Sequence, residues 1–268
     1  MVMIINYYDL IITMDDANNE IYSAFLCEEE GTQSSFKGIM DVINKKGIFS
    51  VFYVDRGSHY GYTNKAGDRV DITKPTQVAR ALKQLGIHII YAKSPQARGR
   101  SERMFRTWQD RLPQELKSHN INNIDDANIF IKNYFLPKMN ERFIKKSKLP
   151  DNGFVPYVGR NIKEILSIQT ERKVNNDNTV SYNSTILQIP QSKYRFSYAG
   201  SKVMLHQYLD QSIEIFHGLH SLGKFNLKKL DQHLEHYKDN MNDKTTFKER
   251  KYKLNNQNNL INEANMNI

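Results

Sequence analysis

The sequence predicts an α/β domain at residues 1–145, a linker at 146–170, a small all-β module at 171–226 and a polar tail at 227–268. In the first domain, apolar runs of strand length alternate with segments of helical periodicity, which is typical of a sheet covered by helices. In the second, short strand-like runs are separated by Asn, Asp, Pro and Gly, a pattern that favours a small barrel. The tail is rich in Lys and Asn and predicts a frayed helix or disorder.

Four apolar runs in the first domain have the length and composition of β-strands. Residues 10–14 and 21–26 flank a turn rich in Asp and Asn, so they predict a hairpin. Residues 48–54 and 87–91 are nearly continuous apolar runs, as expected for buried strands. The second module contains shorter predicted strands at 179–182, 185–189 and 202–208.

Apolar residues at helical spacing predict four helices in the first domain. The first covers residues 32–46, the second 75–85 and the fourth 125–143. The third contains Glu102, and its apolar stripe consists of Met104, Trp108 and Leu112. The resulting order, β-β-α-β-α-β-α-α, predicts a sheet with helices packed on its faces.

Charge is spread unevenly along the chain, whose formal net charge is +9. Residues 1–60 carry four Lys/Arg against nine Asp/Glu, whereas residues 61–226 carry 26 against 14. A basic middle section predicts a polyanionic partner. A generally basic protein surface is the alternative that composition leaves open.

The single cysteine, Cys27, excludes an internal disulfide and a Cys-rich zinc site. No apolar run reaches the ~18 residues needed to span a bilayer. Residues 1–5 are apolar but lack the basic flank and the cleavage site of a signal peptide. We therefore expect a cytoplasmic protein that does not act at a membrane.

Two acidic residues stand where metal-dependent chemistry on phosphates would need them. Asp55 follows the predicted strand at 48–54, and Glu102 lies among five arginines in the stretch SPQARGRSERMFRTWQDRL at 94–112. Carboxylate oxygens are ligands that Mg²⁺ prefers, and phosphoryl transfer on nucleic acid commonly uses two metal ions. Simpler interpretations remain: Asp55 is a turn former, and Glu102 forms an ion pair with Arg98, Arg103 or Arg106.

These two segments together resemble the second Asp and the Glu of DDE transposases and retroviral-type integrases. They are most similar to the ISNCY group of insertion sequences, whose core carries an S-P-x-A-x-G-R-x-E-R signature, and the resemblance covers roughly residues 9–225. It implies an RNase H-like integrase catalytic core followed by an SH3-like barrel. It also implies DNA cleavage and joining, with Mg²⁺ or Mn²⁺ held by Asp55 and Glu102.

The first Asp of that family has no counterpart in this chain. The family carries it upstream of the hairpin, in a strand resembling D-G-S-x-H, where this chain reads MVMIINYY. Asp9 corresponds to the lead into the next strand, and Asp15 and Asp16 are interpreted as turn formers. The resemblance therefore predicts an N-terminally truncated, inactive core whose metal binding is weakened. The strands at 10–14 and 48–54 should then meet in a distorted sheet or leave a gap.

The resemblance and the basic middle section together predict contact with DNA. The predicted DNA-binding residues are Arg98, Arg100, Arg103, Arg106, Lys145 and Lys146. They would give affinity for the phosphate backbone rather than sequence readout. Transposon ends and target DNA are the implied partners, together with a second copy or a full-length transposase.

Two alternatives to an inactive core remain at this point. In one, Asp15 or Asp16 replaces the missing ligand and the enzyme is active. In the other, the chain is a non-catalytic remnant that occupies DNA or pairs with a full-length transposase and inhibits it. The histidines add no metal site: His59 is interpreted as a surface or phosphate contact, and the remaining candidates are expected to face solvent, namely His217, His220, His233 and His236.

Overall fold

The computed structural model describes residues 8–55, 57–63, 70–71, 73–92, 99–146, 153–192 and 195–226. The chain divides into two compact units, Met1–Leu166 and Ser167–Ile268. The predicted tail at 227–268 lies outside the described residues, as does Arg98. In the described part of the chain, no helix is both long enough and apolar enough to cross a bilayer.

The first unit mixes short strands and helices. Its elements in chain order are β1 (Asp9–Met14), β2 (Ile21–Cys27), α1 (Thr32–Lys46), β3 (Ile48–Phe49), β4 (Val51–Val54), α2 (Gln77–Gln84), β5 (His88–Tyr91), α3 (Gly99–Ser118), α4 (Ile124–Phe130), a π-helical turn (Ile131–Phe135), α5 (Leu136–Phe143), β6 (Phe154–Val155) and α6 (Ile162–Ile165). The predicted order of strands and helices is confirmed, with β6 and α6 in addition.

β1 and β2 form the predicted antiparallel hairpin, with Leu10 opposite Leu26. The Asp15 carboxylate holds its turn, because it accepts hydrogen bonds from the Ala17 amide and the Tyr22 hydroxyl, each at 2.7 Å. Burial and this hydrogen bond raise the pKa of Tyr22. Asp15 therefore has the turn-forming role that the sequence predicted.

The hairpin lies between two helical layers. α1 covers one face so closely that a Cβ at Gly38 would lie 2.8 Å from Thr13 Oγ1. The other face packs on α3, α4 and α5 in a core that includes Leu26, Trp108 and Phe135. The Trp108 and Phe135 rings meet edge to face at 4.8 Å. The stripe predicted on α3 is thus the side that faces the core.

Two asparagines seal the outer edge of β2. The Asn128 side chain accepts from Leu26 N at 2.7 Å and donates to Leu26 O at 3.0 Å. The Asn140 side chain bonds in the same way to Ile21 N and Ile21 O, both at 2.8 Å. These amides replace a neighbouring strand, because each offers the donor and the acceptor that an edge strand lacks. Within the described ranges, the opposite edge of the hairpin, at β1, pairs with no further strand.

The predicted strand at 48–54 is two strands with different partners, which corrects the single-strand prediction. β3 pairs antiparallel with β6, whereas β4 pairs in parallel with β5. β4 is also less buried than a continuous apolar run predicts, since Val51 and Tyr53 are 47% and 43% exposed. The reason is that one face of this small sheet meets solvent.

β1–β2 and β4–β5 are separate two-stranded sheets, although α1 connects them. Among the described residues, β1 pairs with β2 alone and β4 with β5 alone. The sequence predicted that the strands at 10–14 and 48–54 either pair directly or leave a gap. In the described part of the chain, they do not pair directly. Each sheet consequently keeps a strand edge without a ladder partner.

The fourth predicted helix is continuous from Ile124 to Phe143 but contains the π-helical turn at Ile131–Phe135. Pro137 lies two residues after the end of this turn. A proline has no N–H to donate, and its ring crowds the carbonyl four residues earlier, so a wider turn relieves both conflicts.

Within the predicted linker at 146–170, residues 153–166 belong to the first unit, and residues 167–170 belong to the second. β6 pairs with β3, and the Arg80 guanidinium donates to Ile165 O at 3.1 Å. Burial lowers the pKa of Arg80 to about 10. The division between the units falls after Leu166, because pairing partners in the first unit hold residues 153–166 there.

The second unit is all-β in its described part. It contains β7 (Ile168–Lys173), β8 (Thr179–Tyr182), β9 (Thr185–Gln188), β10 (Lys202–Gln207), β11 (Ser212–His217) and β12 (His220–Asn226). Four of these strands form an antiparallel sheet in the order β12-β11-β10-β7, and β8 and β9 form a hairpin. Val180, Leu187 and Ile213 contribute to a shared core. The predicted strands are confirmed, while the SH3-like character remains a prediction.

Candidate functional site

Asp55 lies one residue beyond β4 in a tight loop. Its Oδ1 accepts a hydrogen bond from Gly57 N at 2.9 Å. A Cβ at Gly57 would lie 3.0 Å from this same oxygen and 3.0 Å from His59 Cε1. The loop thus gathers Asp55 and His59 around a glycine, and a side chain at position 57 would push them apart. Asp55 is a turn former, as the simpler interpretation proposed, but its carboxylate is also held in a defined position.

His59 contacts an acidic residue rather than facing solvent. Its side chain is 15% exposed, and Nε2 lies 3.5 Å from Glu30 Oε1. The Glu30 amide donates to Asp9 Oδ2 at 2.7 Å. The start of β1, the β2–α1 loop and the loop after β4 therefore meet at one end of the first unit. The Tyr60 ring, 4.0 Å away, and Glu30 cover much of the His59 side chain, while its interpretation as a surface or phosphate contact stays a prediction.

Glu102 lies in the first turn of α3, and its side chain is exposed. A carboxylate is favoured there because the helix dipole places partial positive charge at the N-terminus. In the described part of the chain, no ion pair involves Glu102, and the Arg103 guanidinium instead donates to Gly99 O at 2.9 Å. Pairing with Arg103 or Arg106 is thus not the role that the structure gives Glu102.

The other early carboxylates are already engaged. Asp15 holds the hairpin turn, and the Asp16 carboxylate lies 3.1 Å from the Arg100 guanidinium. Among the described residues, no group of three or more His, Cys, Asp or Glu side chains is arranged to hold a metal ion. Asp55 and Glu102 are the carboxylates that the sequence predicts as ligands, and in the part of the chain that the structure describes neither Asp15 nor Asp16 is grouped with them.

The basic residues converge more than their sequence positions suggest. Arg100 reaches the β1–β2 turn through Asp16, and the Lys145 amide donates to Asn18 O of the same turn at 2.8 Å. Arg103, Arg106 and Lys146 are exposed. The structure therefore brings part of the predicted DNA-binding set, Arg100 with Lys145, to one place.

Sequence reasoning missed two arginines near these residues, Arg111 and Arg142. Both guanidinium groups approach the Phe143 ring, at 5.9 Å and 5.6 Å from its centroid. The sequence did contain a signal for Arg111, which is eleven positions after Arg100. Eleven residues make about three turns of a helix, so both arginines lie on the same side of α3. Nothing in the sequence indicated that the end of α5 lies beside this side of α3.

Of the predicted solvent-facing histidines, His220 is exposed, His217 contacts the Tyr198 ring at 5.3 Å, and His233 and His236 lie outside the described residues.

Two curated proteins are similar in sequence to this chain. The putative transposase y4bF of Sinorhizobium fredii (strain NBRC 101917 / NGR234) is 28% identical over 229 residues, which cover 85% of this chain and 49% of that protein. The transposase for insertion sequence IS1202 of Streptococcus pneumoniae is 30% identical over 141 residues, which cover 53% of this chain and 30% of that protein.

The chain spans about half or less of the length of these relatives. No model of a protein family matches it. The similarity to y4bF nevertheless runs through both units, since it covers most of the chain. The predicted relationship is thereby confirmed: this chain is related to the transposases of insertion sequences.

Proposed function

We propose that the chain is part of a DDE-type transposase of the ISNCY group, with an RNase H-like core that acts on DNA by metal-dependent phosphoryl transfer. The observation that carries the proposal is the placement of two carboxylates in a relative of transposases. Asp55 follows a strand paired in parallel, and Glu102 opens a helix with its carboxylate exposed. Carboxylates so placed suit Mg²⁺ or Mn²⁺, which prefer oxygen ligands.

In this proposal, the carboxylates of the chain take part in the chemistry and its basic residues bind the DNA. The Gly57 amide donates a hydrogen bond to one oxygen of Asp55, and the Glu102 side chain is exposed. When bound, divalent ions activate the attacking oxygen and stabilise the leaving oxygen. The predicted arginines and lysines would neutralise DNA phosphates, which gives affinity without base readout.

The proposal includes inactivity of this chain on its own. Two carboxylates give a divalent ion few protein ligands, and among the described residues no third His, Cys, Asp or Glu side chain is grouped with them to hold a metal ion. A chain of this kind would bind DNA and would pair with a second copy or with a full-length transposase. The still active enzyme, with Asp15 or Asp16 as a ligand, is the less favoured function for the same reason.

The test supplies the part of the relatives that this chain does not match. Alone, the chain is expected to give no strand-transfer product on transposon-end DNA with Mg²⁺ or Mn²⁺. A chimera with the upstream region of y4bF joined before residue 8 should give cleavage and joining. Asp55→Asn or Glu102→Gln in the chimera should abolish both activities, whereas Asp110→Asn, an exposed carboxylate on the same helix, should leave them intact.

Two results would contradict the proposal. An active chimera that keeps its activity after Asp55→Asn and Glu102→Gln would remove these residues from the chemistry. Activity of the chain alone, lost in either variant, would instead establish the active alternative. Inhibition of a full-length transposase by the added chain would support the pairing role.

A further inference from the structure

Two basic stretches that are far apart in sequence meet at the β1–β2 turn. Arg100, at the start of α3, donates to the Asp16 carboxylate at 3.1 Å and to the Asp16 carbonyl. After α5, the Lys145 amide donates to Asn18 O at 2.8 Å, and the Asn19 side chain donates to Phe143 O at 3.5 Å. The turn therefore ties the start of α3 to the end of α5.

Phe143 extends this meeting point along α3. The guanidinium groups of Arg111 and Arg142 both approach its ring, at 5.9 Å and 5.6 Å from the centroid. Arg111 is three turns, or about 16 Å, along the same side of α3 from Arg100. The cations Arg100, Arg111, Arg142, Lys145 and Lys146 thus border one region, which we name the turn surface.

The turn surface lies away from the proposed catalytic carboxylate. Glu102 is two positions after Arg100, and two positions correspond to about 200° around a helix, so the two side chains leave α3 in nearly opposite directions. Arg106, four positions after Glu102, is on the Glu102 side. The basic residues therefore form two groups on different sides of α3 rather than one patch.

The ion pair at Arg100 is weak enough for a ligand to replace it. The Arg100 side chain is 56% exposed and that of Asp16 is 82% exposed. Ion pairs between exposed side chains contribute little because water and salt screen them. A phosphate offers a guanidinium the same paired oxygens as a carboxylate, so it can take the place of Asp16.

We propose that the turn surface binds the phosphate backbone of duplex DNA, and that the phosphate displaces Asp16 from Arg100. This inference rests on the proposed function and adds a second DNA-contacting surface, separate from the one beside Glu102. Arg111 and Arg142 bind phosphate through N–H groups not used on the Phe143 ring, while Lys145 and Lys146 add charge at the edge. The surface holds duplex away from the reacting phosphate, and it reads no bases.

The test is the salt dependence of binding to a fluorescent duplex of arbitrary sequence, followed by anisotropy with the unaltered chain. The double variant Arg111→Gln/Arg142→Gln should make the slope of log K against log salt less negative by about 0.9 for each lost phosphate contact. Each lost contact should weaken binding at 0.1 M salt by about eightfold. The charge-preserving Arg111→Lys/Arg142→Lys variant should restore most of the slope.

Matched controls distinguish binding at the turn surface from an effect of the total positive charge of the chain. Lys117→Gln/Lys132→Gln removes two exposed cations outside the turn surface and should change the slope little. Asp16→Asn should tighten binding, by up to about fivefold, because it removes the competitor of the phosphate at Arg100. Thermal unfolding of every variant shows whether a loss of DNA affinity comes from misfolding.

Each outcome has a distinct meaning. If the unaltered chain binds DNA but the Arg111/Arg142 variant keeps its slope, the turn surface is overturned and the proposed function stands. If Asp16→Asn leaves affinity unchanged or weakens it, displacement at Arg100 is overturned. If the unaltered chain does not bind duplex DNA at all, the DNA-binding part of the proposed function fails with it.

Discussion

The side chains of Asn128 and Asn140 complete β2 without a neighbouring strand. Each gives one amide donor and one amide acceptor to the backbone of a β2 residue, Leu26 or Ile21. Both of those residues are buried, so water cannot readily hydrogen-bond to their N–H and C=O groups. An unmet buried backbone group costs about 1–3 kcal/mol, which makes each asparagine worth more than an average polar contact.

Asn140→Ala should therefore lower the free energy of unfolding by about 1–3 kcal/mol, because Ile21 N and Ile21 O lose their partners. Urea unfolding measures this loss. Asn133→Ala is the matched control, since Asn133 is exposed in the same helical run and the gain in helix propensity is common to both variants. Equal stability of the two variants would show that water satisfies the β2 edge instead.

At the scale of elements, Gly47 is the joint between α1 and the paired strands β3 and β6. Its φ of 107° is a conformation that side chains rarely adopt, and a Cβ there would overlap the carbonyl oxygen of Val155. Gly86, between α2 and β5, also has a positive φ, of 72°, but nothing lies within 4 Å of the position that its Cβ would take. A side chain would thus strain the backbone at either glycine, but of the two it would collide with another segment at Gly47.

Gly86→Ala should cost about 1–2 kcal/mol of unfolding free energy, which is the strain of a left-handed residue alone. Gly47→Ala should cost clearly more, because the β3–β6 pairing must also shift to admit the methyl group. Thermal or urea unfolding of both variants gives the comparison. If Gly47→Ala proves no worse than Gly86→Ala, β6 does not pack on this joint in solution.

At the scale of the whole molecule, the first unit holds three two-stranded sheets, and among the described residues β1–β2 and β4–β5 each keep a strand edge that pairs with no further strand. The β4–β5 sheet also turns apolar side chains to solvent, with Tyr53 at 43% and Ile90 at 46% exposure. Open strand edges and apolar faces promote pairing with other chains. The β2 edge escapes this hazard because asparagines cover it.

We expect the purified chain to self-associate as its concentration rises, measured by size-exclusion chromatography with light scattering. Tyr53→Lys/Ile90→Lys should reduce association with little loss of stability, because both side chains are already exposed. Val158→Lys is the control, since Val158 is 93% exposed in the same unit but outside these sheets. A monodisperse monomer at all concentrations would contradict association through these open edges and apolar faces.

The sequence by itself determined the local elements of this protein. Periodicity and turn residues placed the β1–β2 hairpin, α1, the stripe of α3 and the strands β8–β10, because these depend on neighbours within a few residues. The predicted strands did not include β7, β11 or β12, although Ile213, Glu214 and Ile215 of β11 alternate between apolar and polar. The motif around Asp55 and Glu102 was enough to predict the relationship to transposases.

Only the tertiary structure decided what these elements pair with. Strand pairing and edge sealing join residues more than a hundred positions apart, as Ile21 with Asn140 and Phe49 with Phe154, and no local pattern encodes such partners. The same holds for the turn surface, where Arg100 and Lys145 meet through a hairpin turn. The sequence indicates which residues can form strands or polar contacts. Their partners are fixed by the folded structure, because it brings distant segments together.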